Sequence, residues 1–76
     1  MKVHFENVGR GKRSWTVWHP DEPSEGAILR MIRNARALGS KEIDVLMPDD
    51  GEPGAIFVGI FRNVGAFRFE MAKEGK

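Results

Sequence analysis

The sequence predicts a small α+β domain with the element order ββαβββ, in which one helix packs on one face of a mainly antiparallel sheet of about five strands. Three observations indicate this: stretches that alternate between apolar and polar residues, one segment with helical periodicity, and glycine- or proline-rich breaks between them. A length of 76 residues is that of one domain. We therefore predict a single domain over residues 1–76, with a frayed end at 72–76.

The first two strands are predicted to form a β-hairpin. Residues 2–8 alternate between apolar and polar side chains, and residues 13–19 alternate again. Between them, Gly9-Arg10-Gly11-Lys12 supplies glycines that adopt a positive φ easily. Pro20 and Pro23 follow, and proline cannot donate a hydrogen bond to a neighbouring strand. A connecting turn is therefore expected after the hairpin.

A single helix is predicted from about Glu25 to Leu38. Ser24 is a favourable N-cap residue, and Gly39 is placed to end the helix as its C′ residue. Apolar side chains within the segment fall in one arc when successive residues are set 100° apart, which is typical of a stripe buried against a sheet. These residues are Ala27, Ile28, Met31, Ile32, Ala35 and Leu38.

Three more strands are predicted after the helix. Residues 42–47 alternate, and an acidic loop with two prolines follows them. Residues 55–62 are almost continuously apolar, which is typical of a central strand that is buried on both faces. Asn63-Val64-Gly65 is predicted to turn the chain into a last strand over residues 66–71.

The second strand contains two tryptophans whose positions differ in parity. Trp15 and Trp18 are three residues apart, and the two-residue period of a strand sends them to opposite faces of the sheet. A single helix covers only one of those faces. We therefore expect Trp15 to lie in the core and Trp18 to lie on the face that the helix leaves open.

The same parity places apolar residues of other strands beside Trp18. Contiguous exposed apolar patches mark interaction surfaces more often than accidents. Two explanations stay open: a protein partner covers the patch, most simply a second copy in a homodimer, or the sheet curls so that the chain covers it. The residues assigned to the partner-binding patch are Trp18, Leu46, Phe57 and Phe61.

Basic residues favour an alternative function, the binding of nucleic acid, because Lys and Arg side chains displace the counterions condensed on phosphates. The same residues are also typical of a solvated helix face and a soluble hairpin tip. Residues 1–41 carry eight Lys or Arg and four Asp or Glu, whereas residues 42–76 carry four and seven, so an acidic second half weakens this interpretation. The candidates are Arg10, Lys12 and Arg13 at the tip, and Arg30, Arg33 and Arg36 on the helix.

Composition and spacing favour a non-catalytic domain without a cofactor. The sequence has no cysteine, which excludes disulfides and thiolate metal sites and favours a reducing, cytoplasmic location. No apolar run is long enough to span a membrane. His4 and His19 lack the spacing of a catalytic motif, so we expect no catalytic residues. The acidic loop at residues 49–52 lacks the spacing of a calcium loop, and we expect a turn there and no metal site.

Overall fold

A computed structural model of the chain describes residues 1–39, 42–49, 52–59 and 62–71. It confirms the predicted α+β fold and the order ββαβββ. The segment predicted to fray, residues 72–76, lies outside the described residues. The elements are β1 (Lys2–Val8), β2 (Arg13–Trp18), α1 (Glu25–Ala35), β3 (Ile43–Leu46), β4 (Gly54–Val58) and β5 (Arg62–Glu70).

The five strands form one sheet in the order β2-β1-β5-β4-β3, and all neighbouring pairs are antiparallel. The central strand is therefore β5, and the prediction that residues 55–62 form the central strand is wrong. β4 ends at Val58, and Gly59 follows with a φ of 61°. A positive φ is easily adopted by glycine, so β4 ends inside the predicted strand, and residues 60 and 61 of the apolar run lie outside the described residues.

The core lies between α1 and one face of the sheet. Trp15 packs against this core, and its ring stacks on that of Phe5 with 4.6 Å between the ring centroids. Trp15 therefore lies on the predicted side of the sheet, but it packs against the core as a half-buried residue and is not part of the buried core. No polar side chain is buried among the described residues. The buried apolar residues are Val3, Phe5, Val8, Ile28, Ile32, Ile43, Ile56 and Phe67.

The helix begins as predicted and ends early. The Oγ of Ser24 accepts a hydrogen bond from the backbone N–H of Ala27 at 3.2 Å, which confirms the N-cap. The last helical residue is Ala35 and not Leu38, because Arg36 takes the left-handed conformation with a φ of 54°. Leu38 packs against the core from the segment that follows the helix.

The predicted turn at Asn63-Val64-Gly65 is wrong, because these residues lie inside β5. Ile56 pairs with Gly65, whereas Phe57 pairs with Asn63, so the register shifts by one extra residue and the strand contains a β-bulge. The Oδ1 of Asn63 accepts a hydrogen bond from the N–H of Gly65 at 3.0 Å. Such local bonds make Asn common in turns, which explains why the sequence signal is the same.

The close approach of β4 to β5 gives a test of the packing. Gly54 pairs with Phe67, and a Cβ atom at Gly54 would lie 2.5 Å from the Cζ of Phe67 and 2.8 Å from the carbonyl oxygen of Leu46. We expect Gly54→Ala to lower the free energy of unfolding by about 1–3 kcal/mol, as overpacking does. Urea unfolding followed by tryptophan fluorescence measures this change.

Gly26→Ala is the matched control for that substitution. A Cβ atom at Gly26 meets nothing nearer than the Oγ of Ser24 at 4.0 Å, and alanine is the better helix former. The control should be as stable as the wild type or more stable. Equal stability of Gly54→Ala and Gly26→Ala would contradict the described packing.

Candidate interaction surface

The open face is the side of the sheet that faces away from α1, and its side chains come from alternate residues of each strand. The strand register arranges these residues in rows that run across the sheet. The first row holds Trp18, Lys2 and Glu70; the second holds Thr16, His4 and Arg68; the third holds Glu6, Ala66, Ala55 and Leu46.

The structure does not bring the predicted partner-binding residues into one patch. Trp18 is 65% exposed on the edge strand β2, and Leu46 is 62% exposed on the opposite edge strand β3. Four strand spacings separate the two edges, which is roughly 20 Å. Phe57 is half-buried and lies on β4, next to the strand of Leu46. Phe61 lies outside the described residues.

The open face therefore has two separate apolar corners, one at Trp18 and one at Leu46 and Phe57. The middle of the face is polar. His4 forms two hydrogen bonds. Its Nδ1 lies 2.9 Å from the Oγ1 of Thr16, and its Nε2 lies 2.5 Å from the Oε1 of Glu70. This network runs across β2, β1 and β5, and a partner that touched both corners would have to cover it.

A second ion pair extends the polar middle of the open face. The Nε of Arg68 donates to the Oε2 of Glu6 at 3.2 Å. Both side chains are about half exposed, and exposed ion pairs contribute little to stability. The parity of single strands could not reveal this ion pair, because the pair depends on the register between β1 and β5.

The hydrogen bond from His4 lowers the pKa of the Glu70 carboxyl below its ordinary value. Desolvation opposes this shift, and the charges of His4, Lys2 and Arg68 add to it. A carboxyl group with a lowered pKa in the folded state stabilises the fold above its unfolded pKa. That stabilisation is lost as the pH falls through the lower, folded pKa.

This linkage predicts part of the acid sensitivity of the protein. Thermal unfolding temperatures measured between about pH 6 and about pH 3 should fall less for Glu70→Gln than for the wild type, because the variant has no carboxyl at position 70 to protonate. Glu22→Gln is the matched control, since Glu22 is exposed on the turn after β2, and it should keep the wild-type dependence. Identical pH profiles for Glu70→Gln and the wild type would remove the proposed linkage.

The basic hairpin tip lies at one end of the sheet, beside a cleft. Arg10 and Lys12 line this open cleft of about 820 Å³, together with Arg62 from the start of β5 and Glu6 from β1. Arg62 was not among the predicted basic candidates. The strand order brings it to the hairpin tip, and the sequence pattern alone does not reveal that order.

The other basic candidates are divided between two environments. Arg13 does not extend freely from the tip, because its Nη1 donates to the carbonyl oxygen of Ala35 at 2.7 Å. Its guanidinium also lies 5.6 Å from the ring centroid of Trp15, which is a cation–π distance. Arg13 thus ties the hairpin to the carboxyl end of α1. The remaining candidates are exposed: Arg30 and Arg33 on α1, and Arg36 directly after its last residue.

No protein-family model matches the chain, and no curated protein or solved structure matches it either. Within the part of the chain that the structure describes, no helix is long and apolar enough to cross a membrane. The same described residues contain no group of three or more His, Cys, Asp or Glu side chains placed to hold a metal ion. Asp49 and Glu52, at the two ends of the predicted acidic loop, exchange two backbone hydrogen bonds, and residues 50 and 51 between them lie outside the described residues.

Proposed function

We propose that this chain is a small, non-catalytic interaction domain that associates with a second copy of itself at the open face, with Trp18 as the anchor. The observation that carries the proposal is the 65% exposure of Trp18, on a sheet whose other tryptophan is half-buried against the core. Large aromatic side chains are enriched among the residues that dominate binding energies at interfaces. A cytoplasmic location is part of the proposal and fits the absence of cysteine.

A partner that covers Trp18 would gain free energy by removing the exposed part of its ring from water. Removing its remaining exposed surface, roughly 130 Å², from water is worth about 3 kcal/mol per copy. A domain of this size has little excess stability, so exposure of such a side chain is a substantial loss if nothing covers it. Covering two copies at once in a symmetric contact recovers that loss twice.

The charges of the open face favour a second copy over a highly charged partner. Lys2 and Arg68 are balanced by Glu6, Glu70 and Asp44 on the same face, and two of these acidic groups are already bonded within the chain. A nearly neutral face produces little net repulsion when two copies meet. It also lacks the excess of positive charge that binding to a nucleic acid requires.

We expect light scattering to show a concentration-dependent dimer at micromolar to high micromolar concentration. Trp18→Ser should weaken the association by about a hundredfold or more, because it removes the apolar contact. Met71→Ser is the matched control: Met71 is 75% exposed but follows β5 with the parity of the helix-facing residues, so its loss should leave the dimer unchanged. A wild-type chain that stays monomeric at high micromolar concentration would overturn self-association.

Nucleic-acid binding is the second candidate, and the cleft that gathers Arg10, Lys12 and Arg62 supports it. Binding to mixed duplex and single-stranded oligonucleotides should then fall steeply with salt, because each phosphate contact releases a counterion. Arg62→Ala should weaken it, whereas Lys2→Ala, exposed at the end of β1 that lies away from the hairpin tip and outside the cleft, serves as the control. Fluorescence anisotropy at low and moderate salt tests this. Absence of salt-sensitive binding would exclude the candidate.

A further inference from the structure

The backbone of β2 has one side bonded to β1 and one side directed away from the sheet. The nitrogen of Met1 donates to the carbonyl oxygen of His19, and the N–H of His19 donates to the carbonyl oxygen of Met1, both at 2.8 Å. In an antiparallel pair, residues with such exchanged bonds alternate with residues whose N–H and C=O point away. The backbone groups of Trp18, Thr16 and Ser14 therefore point outward from the edge.

The two edges of the sheet differ in how well they are protected against pairing with another strand. Natural edge strands are blunted by short length, charge or proline. β3 has four residues, carries Asp44 within it and is followed closely by Pro48. β2 has six residues, and after Arg13 it contains only Ser, Trp, Thr and Val. Among the described strands, β2 is thus the edge that presents uncharged, β-favouring residues with free backbone groups.

We propose that β2 is the self-association surface, and that the β2 strands of two copies pair antiparallel about a two-fold axis at Thr16. This inference rests on the self-association proposed above and specifies its geometry. Two five-stranded sheets then join into one continuous sheet. With this register, Thr16 lies opposite the partner's Thr16, and Ser14 lies opposite the partner's Trp18. These are the residues whose backbone groups point outward, so they form roughly six hydrogen bonds across the axis.

The side chains of β2 are also complementary to themselves in this register. On the helix side, Trp15 lies opposite the partner's Val17, and both residues are half-buried in the single chain. Their contact continues the core across the axis, as apolar cross-strand pairs do. On the open face, Trp18 lies beside the partner's Ser14 and Thr16, which cover part of its ring.

The charge of β2 does not oppose the pairing. Arg13 is the strand's charged residue, and it already bonds to the carbonyl oxygen of Ala35. In the proposed register, Arg13 lies opposite the partner's His19, so the two arginines stay at opposite ends of the paired strands. The charged groups of His4 and Glu70 lie on β1 and β5, and the network reaches the axis through the neutral hydroxyl of Thr16.

A charge-exchange experiment tests the register, because only a residue on the two-fold axis meets its own copy. Thr16→Lys and Thr16→Glu place like charges opposite each other, and each variant should raise the dissociation constant about tenfold or more. An equimolar mixture of the two should regain dimerisation as a one-to-one heterodimer. Analytical ultracentrifugation and native mass spectrometry measure both effects. Asn34→Lys and Asn34→Glu, at an exposed position on α1, are the matched controls and should dimerise like the wild type.

Leu46→Ser separates edge pairing from a face-to-face dimer that buries the whole open face. Edge pairing leaves the corner at Leu46 free, so this variant should dimerise like the wild type. If the dimer forms normally in both Thr16 variants, edge pairing is overturned. If Leu46→Ser and Trp18→Ser then weaken that dimer, self-association through the open face still stands. A monomeric wild type overturns both proposals.

Hydrogen exchange in the wild-type chain tests the pairing without any substitution. The amides of Ser14, Thr16 and Trp18 should be protected in the concentrated dimer and become exchangeable on dilution. The amides of β3 should not change with concentration. Amides at Ser14, Thr16 and Trp18 that exchange equally fast at all concentrations, in a chain that does dimerise, would overturn edge pairing.

Discussion

The structure depends on one constraint: a single helix of 11 residues has to cover a sheet of five strands. It can cover one face, and the apolar residues of all strands on that face converge beneath it. Phe67 on the central strand β5 is fully buried there and pairs with Gly54, whose missing side chain leaves room for the ring. None of the described residues covers the opposite face in this way, so its side chains have to be polar, paired with each other, or covered by another molecule.

In the middle of the open face the side chains are polar and paired with each other. At the two apolar corners they are neither. Hydrogen bonds join His4 to both Thr16 and Glu70, and Arg68 donates a hydrogen bond to Glu6. Trp18 has no comparable solution within the described residues, because it lies at the outer edge of the sheet and is 65% exposed. The outward backbone groups of β2 and the exposed ring of Trp18 therefore coincide on one edge. In the proposed dimer, a strand from a second copy would bond to these backbone groups and cover part of the ring.

Local patterns predicted the elements well, and the arrangement between elements could not be predicted from them. Alternation located β1 and β2 closely, and the side-chain chemistry of Ser24 located the start of α1. The bulge at Asn63 gives the same sequence signal as a turn, because the same bond from a side chain to the backbone forms in both. The two-residue period of β2 predicts that Trp18 lies on the open face. The distance between Trp18 and Leu46 depends on the strand order, which this period does not give. Arg62 at the hairpin tip and the partners of His4 depend on that order for the same reason.

The central claim is that Trp18 is covered when two copies associate, and the emission of Trp18 alone tests it most directly. Trp15→Phe removes the second fluorophore and keeps an aromatic ring stacked on Phe5. In this variant the emission should shift to longer wavelength, and quenching by iodide should increase, as the protein is diluted from high to low micromolar concentration. An emission maximum and a quenching constant that stay the same over that range would contradict the account.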